Sequence, residues 1–280
     1  MSRSPKSPSR KQLTIGLILL LIILEQIFRP LNHLASSRAL AAVSRGDHQQ
    51  SIDRALVWYR VADTLAPNNP QIDLKLAQTY LKADQNKAAL TNAEAATNHG
   101  AGTEALVVKS QALLELDQPQ AAASAAEAAV QNSTNDAAAQ TQLGLGYAAQ
   151  DDWSKVDQMI SLLGSSEAAR TLSGLKHDHF ALAQLFYAQG LLNSSQRILE
   201  RYPQENSQYY LLRAVLALRL ATDKKTGLEQ GRGLLEKGLA LSPERIDLRQ
   251  LLQQIDNDLG DSTAAAEQGT KIQALQSGKI

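Results

Sequence analysis

The chain has 280 residues, 44% of them hydrophobic but only 4% aromatic, with about one residue in seven Ala and no Cys. That length buries a core without staples, and the absence of Cys excludes structural disulfides, thiolate metal sites and cysteine nucleophiles. Twenty-eight Lys+Arg against 28 Asp+Glu leave no overall basic surface for a dedicated nucleic-acid binder. An Ala-rich, aromatic-poor composition favours closely packed helices, so the expected class is all-α.

Residues 1–12 carry Arg3, Lys6, Arg10 and Lys11 and no acid, and the aliphatic run Leu13–Leu24 follows, extendable through Ile27 and Phe28 past Glu25 and Gln26. Sixteen helical residues rise about 24 Å, slightly short of a hydrocarbon core of roughly 30 Å. Three readings compete: a cleaved signal peptide, an uncleaved signal anchor, and a buried soluble helix. An aliphatic run without a polar face has no stripe to orient it on a core, and the nearest A-x-A, Ala39-Leu40-Ala41, lies well beyond the run for a cleavage site. The favoured division is a basic cytoplasmic N-terminus at 1–12, a transmembrane signal anchor at 13–30 that makes the lipid bilayer a partner, and a helical domain at 31–280. The positive-inside rule then places that domain outside the cytoplasmic membrane, although Arg29, Arg38 and Arg45 weaken the charge asymmetry.

Beyond the run the sequence repeats with a period near 34. Ala77, Ser110 and Gly144 stand 33 and 34 apart, in L-A-Q-T-Y, K-S-Q-A-L and L-G-L-G-Y. After the first two come Ala89, Ala93, Ala96 and Ala122, Ala126, Ala129, and the earlier Ala55, Tyr59, Ala62 and Pro67 share the phase. One antiparallel helix pair per period is expected, the small residues permitting close approach and Pro67 ending a second helix. Further pairs open at Leu182-Ala183 with Phe186 and after Ser207, with spacings drifting to 39 and 31, and Asp247–Leu275 is polar enough for a C-terminal cap. Six to seven pairs are expected, with an insertion at TDKKTGLEQG and a hinge near 164–175.

Leu143-Gly144-Leu145-Gly146-Tyr147 and ALVWYRVADTLAPNN at 55–69 resemble the tetratricopeptide family. The resemblance implies a right-handed α-solenoid whose first helices line a concave groove for a protein segment. Carried over position by position, it assigns to that groove Gln71, Leu74, Gln78, Leu81 and Lys82, then Glu104, Val107, Gln111, Leu114 and Glu115. It also assigns Ala138, Thr141, Leu145, Ala148 and Ala149, and lastly His177, Phe180, Gln184, Tyr187 and Ala188. The Lys and Asn clamp with which some members hold chaperone tails is absent, since Leu74 and Gln78, or Val107 and Gln111, stand there.

Chemistry is thin. Gly144-x-Gly146-x-x-Ala149 spells a dinucleotide fingerprint but follows no β-branched run, and Lys224-Lys225-Thr226-Gly227 lacks the glycine-rich lead of a phosphate loop. His177-Asp178-His179 puts its imidazoles on different helical faces, against a metal site. No catalytic residue, cofactor or metal is assigned. Charge is uneven: residues 84–167 hold 11 acids against Lys87, Lys109 and Lys155, whereas residues 170–249 hold 12 basic against 8 acidic. The expected role is a non-catalytic membrane-anchored scaffold or assembly factor in a bacterial envelope, binding protein and no nucleic acid. Its rivals are a permanent subunit of a large membrane complex and a small-ligand or glycan module stacking on Phe180, Tyr187, Tyr209 and Tyr210.

Overall fold

The structure, a computed structural model, describes residues 38–278. All regular structure among them is helical. The 13–30 run lies outside the described residues, and no helix within them is long and apolar enough to cross a membrane. The chain forms two compact units, one ending at Ala101 and one beginning at Gly102.

The first unit contains α1 (38–47), α2 (Ile52–Leu65), α3 (Pro70–Lys82) and α4 (Asn86–Asn98). Gly46 lets α1 approach the Tyr59 ring, which a Cβ would meet at 2.5 Å, and the Tyr59 hydroxyl donates to Asp47 at 2.8 Å. Asn69 caps α3 by accepting from the N–H groups of Gln71 and Ile72, with Pro70 at the first helical position, where its missing N–H costs nothing. Ala77 on α3 and Ala89, Ala93 and Ala96 on α4 are fully buried, so the pair closes on methyl groups, as the period implies.

The second unit runs through α5 (Thr103–Glu115), α6 (Pro119–Asn132), α7 (Ala137–Ala148), α8 (Trp153–Leu163), α9 (Glu167–Ser173), α10 (His179–Ala188) and α11 (Leu192–Arg201). It continues with α12 (Ser207–Leu220), α13 (Lys224–Leu241), α14 (Ile246–Leu259) and α15 (Ser262–Gln276). Seven helix pairs therefore occupy the described residues, with α9 as an extra helix.

One turn recurs between the members of a pair. Asp84, Asp117, Asp151, Gly190 and Gly260 all adopt positive φ, between 56° and 81°. The next N–H reaches back to the carbonyl of Tyr80, Leu113, Tyr147, Phe186 or Asp256, at 2.8–3.0 Å. This is the Schellman closure, and Asp and Gly are residues that tolerate the left-handed region. The α12–α13 pair lacks it: α12 ends at extended Ala221 and Asp223 caps α13, and the TDKKTGLEQG segment expected as an insertion between helices is, from Lys224 on, the start of α13 itself.

Two features depart from a plain array. The 164–175 segment, expected as a hinge, carries α9, whose Leu172 is buried against Gly144 on α7. Moreover, α11 packs back onto α5, across two intervening pairs' worth of chain, whereas a solenoid contacts only its neighbours. Buried Glu115 and half-buried Arg197 make that join. The Glu115 carboxylate accepts from the backbone N–H groups of Asn193 (3.0 Å) and Ser194 (2.9 Å) and from Asn193 Nδ2 (3.0 Å). In return Arg197 donates to the carbonyls of Leu114 and Glu115 and pairs with Asp117 at 3.2 Å.

Candidate functional site: a groove on α10 and α12

α10 and α12 are the first helices of consecutive pairs, and their exposed faces border a groove of about 420 Å³. Tyr187 and Gln184 stand one turn apart on α10, so they share a face. Gln208, Leu211, Leu212 and Val215 present the same spacing on α12. Tyr187 and the three aliphatics are half-buried, and Ala214 and Leu216, on either side of that α12 face, are buried in the core. The floor is therefore apolar, and the two glutamines supply amide donors and acceptors at its edge.

One end is basic. Arg245, at the N-cap of α14, lines the groove. Its guanidinium is held by the Asp247 carboxylate (Nε to Oδ1 2.9 Å) and donates to Ser207 Oγ at 3.1 Å. The hydrogen bond to Asp247 raises the Arg245 pKa further and holds the Asp247 carboxyl below its ordinary value. The Arg219 guanidinium lies 6.0 Å from the Tyr187 ring centroid, within cation–π range. The groove thus suits an extended or helical segment with apolar side chains, its polar rim fixing orientation.

The sequence-derived groove residues divide. Gln184 and Tyr187 meet in this groove. Gln71 and Lys82 are exposed and Gln78 and Leu81 half-buried on α3, in the first unit; Glu104 is exposed and Gln111 half-buried on α5. Leu74 (4% exposed), Val107 (8%), Leu114 (3%) and Glu115 (5%) are interior. Val107 packs with Leu106, Ala129 and Ala139, and Glu115 caps α11, so α5 spends these positions on packing. Leu145 and Ala148 are likewise fully buried. The α12 residues were missed because the position count stopped at α10; continuing it one pair further reaches Gln208, Leu211 and Val215.

The remaining motifs resolve into structure. Gly144 and Gly146 lie inside α7, where added Cβ atoms would meet Leu172 at 2.4 Å and the Ala123 backbone at 2.9 Å, so helix packing explains both. Asp178 caps α10 by accepting from Phe180 N. His177 pairs with Asp157 (2.9 Å) and stacks on Trp153, whereas His179 pairs with Asp151 (2.6 Å) and stacks on Tyr202. The two imidazoles serve different carboxylates. Of the aromatics considered for stacking on a sugar, Phe180 and Tyr209 are buried, the latter donating to the Leu199 carbonyl at 2.9 Å.

No family model matches the chain, and no curated protein matches it. Among solved structures it is similar to YrrB, described as a TPR protein with an unusual peptide-binding site: 17% identity, 78% of this chain and 89% of that one, TM-score 0.36. It is similar to PilW, a type IV pilus biogenesis factor, at 17% identity over 89% and 98% of the two chains, TM-score 0.39. For PilF of Pseudomonas aeruginosa the values are 14%, 81% and 98%, and 0.42. Such similarities carry no functional conclusion to this chain, whose own residues must supply it.

Proposed function

We propose that the protein is a non-catalytic scaffold that holds a segment of another protein in the α10–α12 groove, anchored by residues 13–30 in a bacterial inner membrane with its helical domain outside. The observation that carries this reading is the half-buried apolar floor of Tyr187, Leu211, Leu212 and Val215, left open on the helix face that the repeat presents. Gln184 and Gln208 meet the backbone amides of the bound segment, and its aliphatic or aromatic side chains enter the floor. Confinement to the membrane raises the local concentration of membrane partners, so a modest interface suffices.

Photo-crosslinking in cells tests this. The full-length chain carries a crosslinking amino acid at Gln184 or Val215 in the groove, or at exposed Ser124 on α6 as control. One envelope protein joined only from the groove positions, and lost with Tyr187→Ala plus Leu212→Ser at unchanged helical content, is the expected result. Equal crosslinking from Ser124, or none from the groove, refutes the assignment. Protease added to intact spheroplasts checks the topology separately, and full protection of the helical domain overturns the outward placement.

A further inference from the structure

The first helix pair carries a second open surface, on the side chains of α2. Arg54, Val57, Trp58, Val61 and Leu65 follow the i, i+3, i+4, i+7 spacing that puts them on one helical face. The core-facing side holds Ala55, Leu56, Tyr59 and Ala62, so the stripe is not core. Val57 is 57% exposed and Val61 38%. Arg45 from α1 sits over the Trp58 ring at 4.8 Å, adding a cation to the same surface.

We infer that the α1–α2 pair docks on an anionic lipid surface through Arg38, Arg45, Arg54, Val57 and Val61, an inference that rests on the membrane anchoring proposed above. Two observations identify the occupant. Residues 29–65, to the end of α2, contain five Arg against three acids, Asp47, Asp53 and Asp63, and Asp47 is neutralised by Lys75 at 2.8 Å. The chain between the apolar run's end at Phe28 and α1 is residues 29–37, which reach about 30 Å at full extension. If the run spans the bilayer, α1 begins no more than about 30 Å from its surface, so α1 and α2 are within reach of the headgroups. There an amphipathic helix with Trp, Val and Arg on one face is the expected lipid-contacting device, and anionic headgroups supply the counter-charge. Arg38 and Arg45, which oppose the positive-inside rule, then act as headgroup ligands.

Trp58 and Trp153 are the only tryptophans, so a full-length Trp153→Phe variant makes Trp58 a single reporter. The chain is reconstituted into brominated phosphatidylcholine vesicles with or without phosphatidylglycerol, and flotation and Trp emission are recorded. The expected result is flotation in both, with loss of Trp58 emission in phosphatidylglycerol vesicles that is reversed by high salt and by Arg38→Glu plus Arg54→Glu at unchanged helical content. Flotation with unquenched Trp58 overturns the surface contact while leaving the anchor intact. Failure to float overturns the anchor itself. Quenching indifferent to phosphatidylglycerol and to charge reversal refutes the anionic docking.

Discussion

Glu115 and Arg197 exchange caps: the carboxylate of one accepts the free N–H groups at the start of α11, and the guanidinium of the other donates to the last carbonyls of α5. Each helix end has orphan backbone groups that need partners, and α11 has no side-chain cap of its own. A carboxylate there also meets the positive end of the helix dipole. The exchange fixes α11 against α5, and α10, which carries Tyr187, pairs with α11.

Glu115→Ala leaves buried N–H groups unsatisfied, at a cost of about 2–3 kcal/mol. For a domain of this size that lowers the melting temperature by about 4–12 °C. Asp117→Asn, which removes the exposed charge opposite Arg197 but keeps a residue that tolerates the left-handed turn, costs at most about 1 kcal/mol. Thermal melts followed by circular dichroism compare the two. Equal effects, or no effect of Glu115→Ala, show that the cap exchange does not hold the pair.

Gly144 and Gly146 differ in what opposes a side chain. At Gly144 the obstacle is the Leu172 side chain, at 2.4 Å; at Gly146 it is the Ala123 backbone, at 2.9 Å. Gly144→Ala therefore costs about 1–3 kcal/mol by overpacking, and combined with Leu172→Ala, itself a loss of about 2–5 kcal/mol, it costs less than the sum of the two single losses. No side-chain truncation rescues Gly146→Ala, because the backbone of α6 must shift. Denaturant titration of the double variant decides: additive losses at 144 and 172 mean that the two residues do not oppose each other.

Much of this architecture is legible in the sequence because it rests on small residues at fixed spacing: Ala77, Ser110 and Gly144 predict the helix pairs without reference to partners. The turn residues Asp84, Asp117, Asp151, Gly190 and Gly260 carry the same period, and they mark the boundary within each pair more sharply than the alanines do. What sequence spacing does not reveal is non-neighbour packing. Glu115 matches a groove position by count, yet its burial follows from α11 returning 78 residues later, and a charged residue on a helix face gives no sign of such a distant partner. Leu74, Val107 and Leu114 fail for a related reason: a fixed position count assumes each first helix exposes the same face.

Asp151 links three elements and gives the pH response a sign. Its carboxyl is pushed up by partial burial, but hydrogen bonds from Tyr202 and His179 and the charges of His179 and Arg201 outweigh this and hold it below 3.8. A depressed folded pKa contributes stability above the unfolded value, lost as pH falls through the folded one. Tyr202→Phe is expected to lower the melting temperature at pH 7, with the gap to the parent chain closing as pH falls below 3.8 and Asp151 protonates. A gap that stays constant down to full protonation excludes the Tyr202–Asp151 hydrogen bond as its source.

Asp256 on α14 behaves in the opposite sense. Its side chain is fully buried 3.2 Å from Arg232 Nε, yet neither oxygen has a hydrogen bond among the described residues. Burial raises its pKa above 3.8, and the Arg232 charge only partly offsets that. The ionised form is thus penalised at neutral pH, and the fold gains stability as pH falls through the raised value toward 3.8. Asp256→Asn keeps the shape without the buried charge, while Arg232 retains Asp261 and Glu236. The variant is expected to be neutral to about 1 kcal/mol more stable at pH 7, its advantage disappearing in acid. Melting curves across that range check it, and a large loss at pH 7 means that Arg232 and Asp256 form a net stabilising pair.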